Sequence, residues 1–489
     1  MTRNVLREVA EAGPATLTIF GITGDLSRRM ILPALYHLVR QNLLPDSYKI
    51  VGISRRKGEV NTLLDAIKKS LKARGEQCDA KALRKLGDAM ELLALDNTEP
   101  DSYEALRKRL DAIEDESKVC MNRLFYLAVP PELFPTIVSH LGTNGLAESC
   151  QHGTGQSRLL IEKPFGSDLA SAKHLINMLQ RHFAEEQLYR IDHFLAKETV
   201  QNLLTFRLRN PIFQTIWNAS AINRIVVSAT ETLDIEGRVA FYEQTGALRD
   251  MIQSHVLQVL SVVMMELPGM PSAKQIHEEK AALLESLRPA TASGVVRGQY
   301  EGYRHEVKNP HSQTETFVAL ELEAANNRWR GVPIFMRSGK ALHEKLTEVS
   351  LHFKAQATGN DDNILVFSLA PNEGITLRLL AKKPGFADAM QDVNMSFCYN
   401  RDFADERQPS AYERVLLDVF RGDQTLFASS REVLASWRVI DDLLKTWHRT
   451  APLHMYRKGS DGPEAAHELI SKHGGVWEHV ASNVCQPMQ

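Results

Sequence analysis

Two stretches of this chain carry side chains able to move a proton beside an anion: Arg190-Ile-Asp-His-Phe-Leu-Ala-Lys-Glu198 and Gly246-Ala-Leu-Arg-Asp-Met-Ile-Gln-Ser-His255. Histidine is the usual general base near neutral pH, so His255 is a candidate for taking a proton from a hydroxyl. Asp250 precedes it by five residues, a step that does not put both on one face of an α-helix. A joint role therefore needs a bent or shared pocket, and a lone histidine on an apolar helix is more often a satisfied core residue. If residues from about 194 are helical, His193 and Lys197 fall one turn apart, and both suit a phosphate ester. Asp192 and His193 point to opposite sides if locally extended, and so serve different partners. A helix start capped by Asp192, with Lys197 in solvent, accounts for the same residues equally well.

Two shorter motifs could join them. Glu162-Lys163-Pro164 ends an expected parallel strand, and ligands of open α/β sheets gather at such ends. Taken alone, three residues are more simply a charged strand end. Arg337-Ser-Gly-Lys340 and Lys345 follow the apolar run 332–336 and could grip a phosphate or sugar hydroxyls. A surface hairpin is the plainer account of that turn.

A redox partner is implied nearer the start. Gly21-Ile-Thr-Gly-Asp-Leu-Ser27 follows the apolar run 17–20 and opens the helix-like stretch 28–39. Strand, glycine turn and helix N-terminus make a cradle for a pyrophosphate, with Gly21, Thr23, Gly24, Asp25 and Leu26 as its candidate residues. Ser27 stands where a third glycine is usual and is still small; Asp25 and Ser27 are also N-cap types, and both roles are compatible. After the next strand, 48–54, the chain reads Arg55-Arg56-Lys57 with no acidic residue. A carboxylate there would repel a 2′-phosphate, whereas arginine pairs with it. The position favours NADP and leaves NAD open as a second cofactor.

Elements of two kinds must hold these groups. Up to about residue 200, strand candidates 16–21, 48–54, 122–129 and 157–163 alternate with amphipathic stretches 61–74, 79–93 and 101–115. That alternation predicts an α/β Rossmann-like, doubly wound parallel sheet. Later, a helical candidate over 246–265 is flanked by strand-like runs 222–232, 314–324, 332–338, 346–355, 364–370 and 374–382. Turn-length gaps between them predict a large β+α domain on a mainly antiparallel sheet. Helices are expected over 427–446 and 464–473, and an exposed loop over 355–363. The expected division is residues 1–190 for the cofactor and 191–489 for substrate and oligomerisation.

Composition removes several classes. At 489 residues the chain needs two or more domains, and its net charge of −2 gives no whole-chain basic field for nucleic acid. No apolar stretch approaches the roughly 20 residues that span a bilayer. The N-terminal residues are too mixed in charge for a secretory signal. Five scattered cysteines, with no C-x-x-C, argue against a disulfide framework or a metal site and point to a reducing cytoplasm.

Together the segments resemble glucose-6-phosphate dehydrogenase over nearly the whole chain. They are Gly21-Ile-Thr-Gly-Asp-Leu, Glu162-Lys-Pro-Phe-Gly, the 190–198 and 246–255 stretches, Arg337-Ser-Gly-Lys-Ala-Leu342 and Ser410-Ala-Tyr-Glu-Arg-Val-Leu-Leu-Asp418. The resemblance implies oxidation of the C1 hydroxyl of glucose 6-phosphate to the lactone, the first step of the oxidative pentose phosphate pathway, by a homodimer or homotetramer. It implies His255 as base, with Asp192 orienting it. His193 and Lys197 would bind the phosphate, and Glu231, Asp250, Lys340 and Lys345 would hold sugar and phosphate. Arg55 would meet the 2′-phosphate, and Lys163 would lie between cofactor and sugar. Several positions depart from the family pattern: Phe194 and Ala196 replace its tyrosine and glycine, Met30 takes a place that is commonly lysine, and Glu231 is followed by Thr-Leu-Asp-Ile rather than the frequent proline start. Two other classes stay open. One is another NAD(P)-dependent sugar dehydrogenase with a Glu-Lys-Pro strand end. The other is a dinucleotide-binding sensor without catalysis, against which intact His255 and Asp192 argue.

Overall fold

The computed structural model describes residues 12–148, 155–269, 271–355, 363–404, 406–477 and Cys485. Cys150, most of the expected loop 355–363 and the first eleven residues lie outside them. Six strands lead the chain: β1 (Ala15–Phe20), β2 (Tyr48–Ser54), β3 (Met90–Ala94), β4 (Asn122–Leu127), β5 (Ser157–Ile161) and β6 (Leu188–Ile191). Eight follow: β7 (Ile222–Thr230), β8 (Val295–Tyr300), β9 (Phe317–Glu323), β10 (Pro333–Gly339), β11 (Leu346–Phe353), β12 (Ile364–Ala370), β13 (Gly374–Lys382) and β14 (Met390–Cys398). Two short ones, β15 (Phe427–Ala428) and β16 (Leu453–Tyr456), complete the set.

The first sheet runs β15-β6-β5-β4-β1-β2-β3, parallel except where β15 meets β6. Helices cover both faces, so its central strands are buried on both sides; every residue of β1 and of β5 is buried. The second sheet runs β14-β13-β12-β11-β7-β10-β9-β8-β16 and is mainly antiparallel, with β7–β10 and β8–β16 the parallel pairs. Against it packs a wholly buried helix, Leu257–Met264, whose residues Leu257, Leu260 and Val263 share a core cluster with Val227, Ile334 and Met336. The expected Rossmann-like sheet and antiparallel sheet are both present.

Several elements differ from expectation. The stretch 79–93 is a helix, Ala80–Asp88, followed by β3. The helix expected from 427 begins at Ser430, because Ser429 caps it through the Glu432 amide and Glu432 answers back, while 427–428 pair with β6. The expected helix 246–265 breaks into three parts. A helix Val239–Ala247 ends at Gly246, a π-helix spans Leu248–Val256, and the α-helix Leu257–Met264 follows.

The cysteine expectation is corrected. Cys398, at the end of β14, and Cys485 form a disulfide across 87 residues, and Cys120 is disulfide-bonded as well. Scatter along the chain says nothing about pairing once Cys398 of β14 and Cys485 are brought together. Cys78 is a free, exposed thiol.

Candidate active site

Parallel strand ends deliver the polar residues to one place. Lys163 lies two residues beyond β5 and Asp192 one beyond β6, its hydrogen-bonded neighbour. From the other sheet, the register that pairs Gly339 with Thr230 sets the next residues, Lys340 and Glu231, side by side. Their side chains form an ion pair, and the Lys340 carbonyl accepts from the Tyr456 hydroxyl at 2.7 Å. The π-helix supplies Asp250 and His255.

A π-helix closes i→i+5 hydrogen bonds, so residues five apart share a face. Asp250 and His255 accordingly both meet the Lys163 ammonium, at 3.0 Å from Asp250 Oδ1 and 2.7 Å from His255 Nε2. The shared pocket that their spacing required exists. On its other side the His255 ring bonds through Nδ1 to Asp192 Oδ1 at 2.7 Å. An ionised carboxylate only accepts and an ammonium only donates. The ring is therefore Nδ1-protonated, with its basic lone pair on Nε2.

Both members of the dyad are buried, each 4% exposed. Burial holds His255 below the ordinary histidine value; Asp192 opposes that shift and the Lys163 cation adds to it. Burial would raise Asp192, yet His255 and the Phe194 amide keep it below the usual carboxylate range. That amide donates to Asp192 Oδ1 at 2.8 Å, so Asp192 caps its own turn and orients His255 at once. For Asp250, burial is likewise outweighed by Lys163, with His255 and Lys340 adding to the lowering.

Residues 193–197 form a turn, and the helix Glu198–Arg209 starts one residue later than Lys197. His193 indeed faces away from Asp192: its Nε2 is 3.1 Å from Glu162 Oε2 and 3.2 Å from the Tyr412 hydroxyl. Its Nδ1 is buried without a hydrogen-bond partner. Lys197 instead stands 4.2 Å over the Phe194 ring, which stacks on His255 at 4.4 Å between centroids. Burial lowers the Lys197 ammonium, Glu373 opposes this, and Lys345 adds to it. Lys197, exposed Lys345, Glu231 and Glu373 thus share one electrostatic neighbourhood, while the His193 ring is turned toward Glu162.

Three partners went unnoticed in the sequence. Tyr242 lies under Lys340, with its ring centroid 5.4 Å from the ammonium. Tyr126 holds Glu162 at 2.5 Å, and Arg249 ties the π-helix to the Ser167 carbonyl at 3.0 Å. Tyr126 and Tyr242 sit in runs that read as ordinary core, and Arg249 carries no motif of its own.

The cofactor loop fits its expected ligand. Gly21 has φ +81°, and a Cβ there would fall 2.4 Å from the Ala128 carbonyl at the end of β4. Ser27 Oγ donates to the Gly21 carbonyl at 2.9 Å and Gly24 N–H to the same atom at 2.9 Å, which folds the loop over the helix start. Thr23 and Asp25 are exposed there, and Leu26 is partly buried against the first core. Met30 also packs into that core. Arg55 and Arg56 are exposed just beyond β2.

A cavity of about 640 Å³ opens beside Lys163, Asp192 and Asp250, and Phe134, Phe165 and Trp437 form part of its apolar wall. A larger one, of about 890 Å³, lies between helices 198–209 and 273–286 and includes none of these residues. Among the described residues, no helix is long and apolar enough to cross a membrane, and no cluster of three His, Cys, Asp or Glu is placed to hold a metal.

A glycine-turn Rossmann-like sheet joined to a buried carboxylate–histidine dyad defines a nicotinamide-dinucleotide dehydrogenase. The family profile described as glucose-6-phosphate dehydrogenase, NAD binding domain, matches residues 18–202, and its C-terminal domain matches 204–478. The chain belongs to the glucose-6-phosphate dehydrogenase family. Glucose-6-phosphate 1-dehydrogenase of Bacillus subtilis strain 168 is 37% identical over 491 residues, covering 95% of this chain and 98% of that one. The enzyme of Chlamydia muridarum is 35% identical, covering 96% and 99%. Among solved structures, a glucose-6-phosphate dehydrogenase in complex with glucose 6-phosphate superposes with a TM-score of 0.90 at 33% identity, covering 96% of this chain and 99% of that one. The Mycobacterium avium enzyme gives 0.83 at 34%, covering 95% and 98%.

Proposed function

We propose that the protein oxidises the C1 hydroxyl of glucose 6-phosphate to 6-phosphogluconolactone with NADP, His255 being the general base. The observation that carries this reading is the His255 ring, fixed by Asp192 at Nδ1 and presenting a basic Nε2 beside Lys163 and Asp250. The sugar C1 hydroxyl takes the place of the Lys163 ammonium at Nε2 and gives up its proton there. A nicotinamide ring held beside C1 would supply the hydride acceptor. Asp192 stabilises the imidazolium that forms, as a carboxylate does for a catalytic histidine. In a buried site that stabilisation is stronger than it would be in water.

Asp250, Glu231 and Lys340 hold the sugar hydroxyls, and Lys197 and Lys345 take the phosphate. His193 joins them once its ring turns from Glu162, offering its unpartnered Nδ1. Gly21, Thr23, Gly24, Asp25 and Leu26 hold the pyrophosphate, Arg55 the 2′-phosphate, and Lys163 borders both ligands. Residues 1–190 form the cofactor half and 191–489 the substrate half. Copies of the chain pair through the outer edge of the second sheet, where β14 exposes Met390, Val393 and Met395. An exposed apolar edge strand is a liability unless covered. A cytoplasmic location accords with a sugar-phosphate substrate; cysteine usage no longer argues for it. Turnover of glucose 6-phosphate but not free glucose by the purified protein, read as reduced cofactor, tests the reading; equal rates would favour a different sugar dehydrogenase.

A further inference from the structure

The π-helix that brings Asp250 and His255 together has to begin at a fixed residue, and one buried carboxyl marks that point. Glu315, 2% exposed, accepts the Leu248 amide at 3.0 Å through Oε1, and its own carbonyl accepts the Ala247 amide at 3.1 Å. Leu248 is the first residue of the π-helix. Two residues before it, Gly246 (φ +65°) breaks the preceding helix, and a Cβ there would fall 2.2 Å from Glu315 Oε1. A side chain at 246 would have to displace this carboxyl, and the positive φ there also favours glycine. Glu315 thus spans the junction between the two helices with its side chain and its backbone. A helix N-terminus leaves amides without intrahelical partners, and an acceptor there selects which residue starts the turn.

We propose that Glu315 is a positioning residue: by accepting Leu248 N–H it fixes the start of the π-helix and hence the placement of Asp250 and His255 on Lys163. The inference rests on the reading of His255 as the base. Glu315 does not contact the dyad; it acts through Leu248, which Asp250 and His255 follow at two and seven positions along the π-helix. The groups facing it are Tyr242 of the preceding helix, Tyr303, Arg249 of the π-helix and Arg297 of β8. Both arginines are engaged elsewhere. Arg249 bonds the Ser167 and Thr245 carbonyls, and Arg297 bonds the carbonyls of Gln313, Trp447 and Ala451. Burial pushes the Glu315 carboxyl up to about 7, against the Leu248 amide. The neutral acid is therefore well populated at neutral pH, and glutamine is a close mimic of it.

Two conservative variants separate reach from charge. Glu315→Gln keeps the reach and the accepting oxygen; Glu315→Asp keeps the carboxyl and withdraws it by one methylene. The readouts are kcat, KM for glucose 6-phosphate, melting temperature, and the pH at which kcat/KM falls on the acid side. The expected result is near-normal kcat and an unmoved acid limb for Glu315→Gln. Glu315→Asp should lose roughly 10- to 100-fold in kcat, the cost of a misplaced reacting group, with the acid limb displaced because the surroundings of His255 have changed. The reverse pattern, equal damage in both, or normal kinetics in both would each overturn the proposal. His255→Asn is measured in parallel. If it retains kcat, the reading of the base falls and this inference with it; if it loses kcat while Glu315→Asp does not, only the inference fails.

Discussion

Asp250 and His255 stand five residues apart and both touch the ammonium of Lys163, at 3.0 and 2.7 Å. Only a π-turn puts residues of that spacing on one face. The same lysine therefore pairs with one carboxylate and donates to the basic nitrogen of the imidazole. Its charge adds to the burial that holds His255 below the ordinary histidine value, against Asp192.

Replacing Lys163 by methionine should move the acid limb of kcat/KM to higher pH. Burial first, and the Lys163 cation after it, hold His255 below its ordinary value near 6.5. The base works only when unprotonated, so the native enzyme should stay active below pH 6.5. Removing the cation favours the imidazolium, raises the histidine and shifts the loss of activity upward. An acid limb that stays in place or moves down in the pH profile of Lys163→Met would separate Lys163 from His255.

For Arg55→Ala, NADP should bind roughly 10- to 150-fold more weakly while NAD is little changed. That range corresponds to one charge-assisted hydrogen bond of about 1.5–3 kcal/mol, which only the 2′-phosphate can make. Titration followed by the fluorescence of the two reduced cofactors gives both constants. Equal weakening of the two cofactors would make Arg55 structural and leave the exposed Arg56 as the contact.

Substitution of Lys197 by alanine should raise KM for glucose 6-phosphate at least roughly tenfold with little change in kcat, as expected when uniform binding is lost. Free glucose, lacking the phosphate, should show no such change. The 4.2 Å approach of Lys197 to the Phe194 ring makes a second outcome informative. Loss of kcat with both sugars would mean that Lys197 acts by bracing the ring stacked on His255.

Much of this was legible in the sequence for one physical reason: strands buried on both faces are written as continuous apolar runs. β1, β2, β4 and β5 are such runs, and the antiparallel strands from β9 to β13 are set off by turns. β3 was hidden because its five residues, Met90-Glu-Leu-Leu-Ala94, continue the apolar rhythm of the helix before them. β14 escaped because Met390, Val393 and Met395 are exposed, among Gln391, Asp392 and Asn394, where no core imposes a pattern. The two-residue β15 and four-residue β16 are too short for any periodicity. Within the site, type and position alone give Asp192, His255 and Lys163 plainer accounts; the resemblance to a family groups them, and the structure sets their side chains in one hydrogen-bonded chain. The π-helix was not, since nine residues cannot distinguish its period from that of an α-helix; the five-residue step was its one trace. Which cysteines pair depends on strand placement alone. Glu315 lay unnoticed in a strand-like run because its importance comes from what folds against it.

The central claim is that His255 takes the C1 proton of glucose 6-phosphate. Its most direct test is single-turnover formation of reduced cofactor by His255→Asn, alongside the dissociation constant for glucose 6-phosphate. Loss of a positioned base typically costs ~10²–10⁴-fold. The account predicts a fall of that size in the hydride-transfer rate with substrate affinity nearly unchanged. A variant that reduces the cofactor at close to the native rate would contradict it.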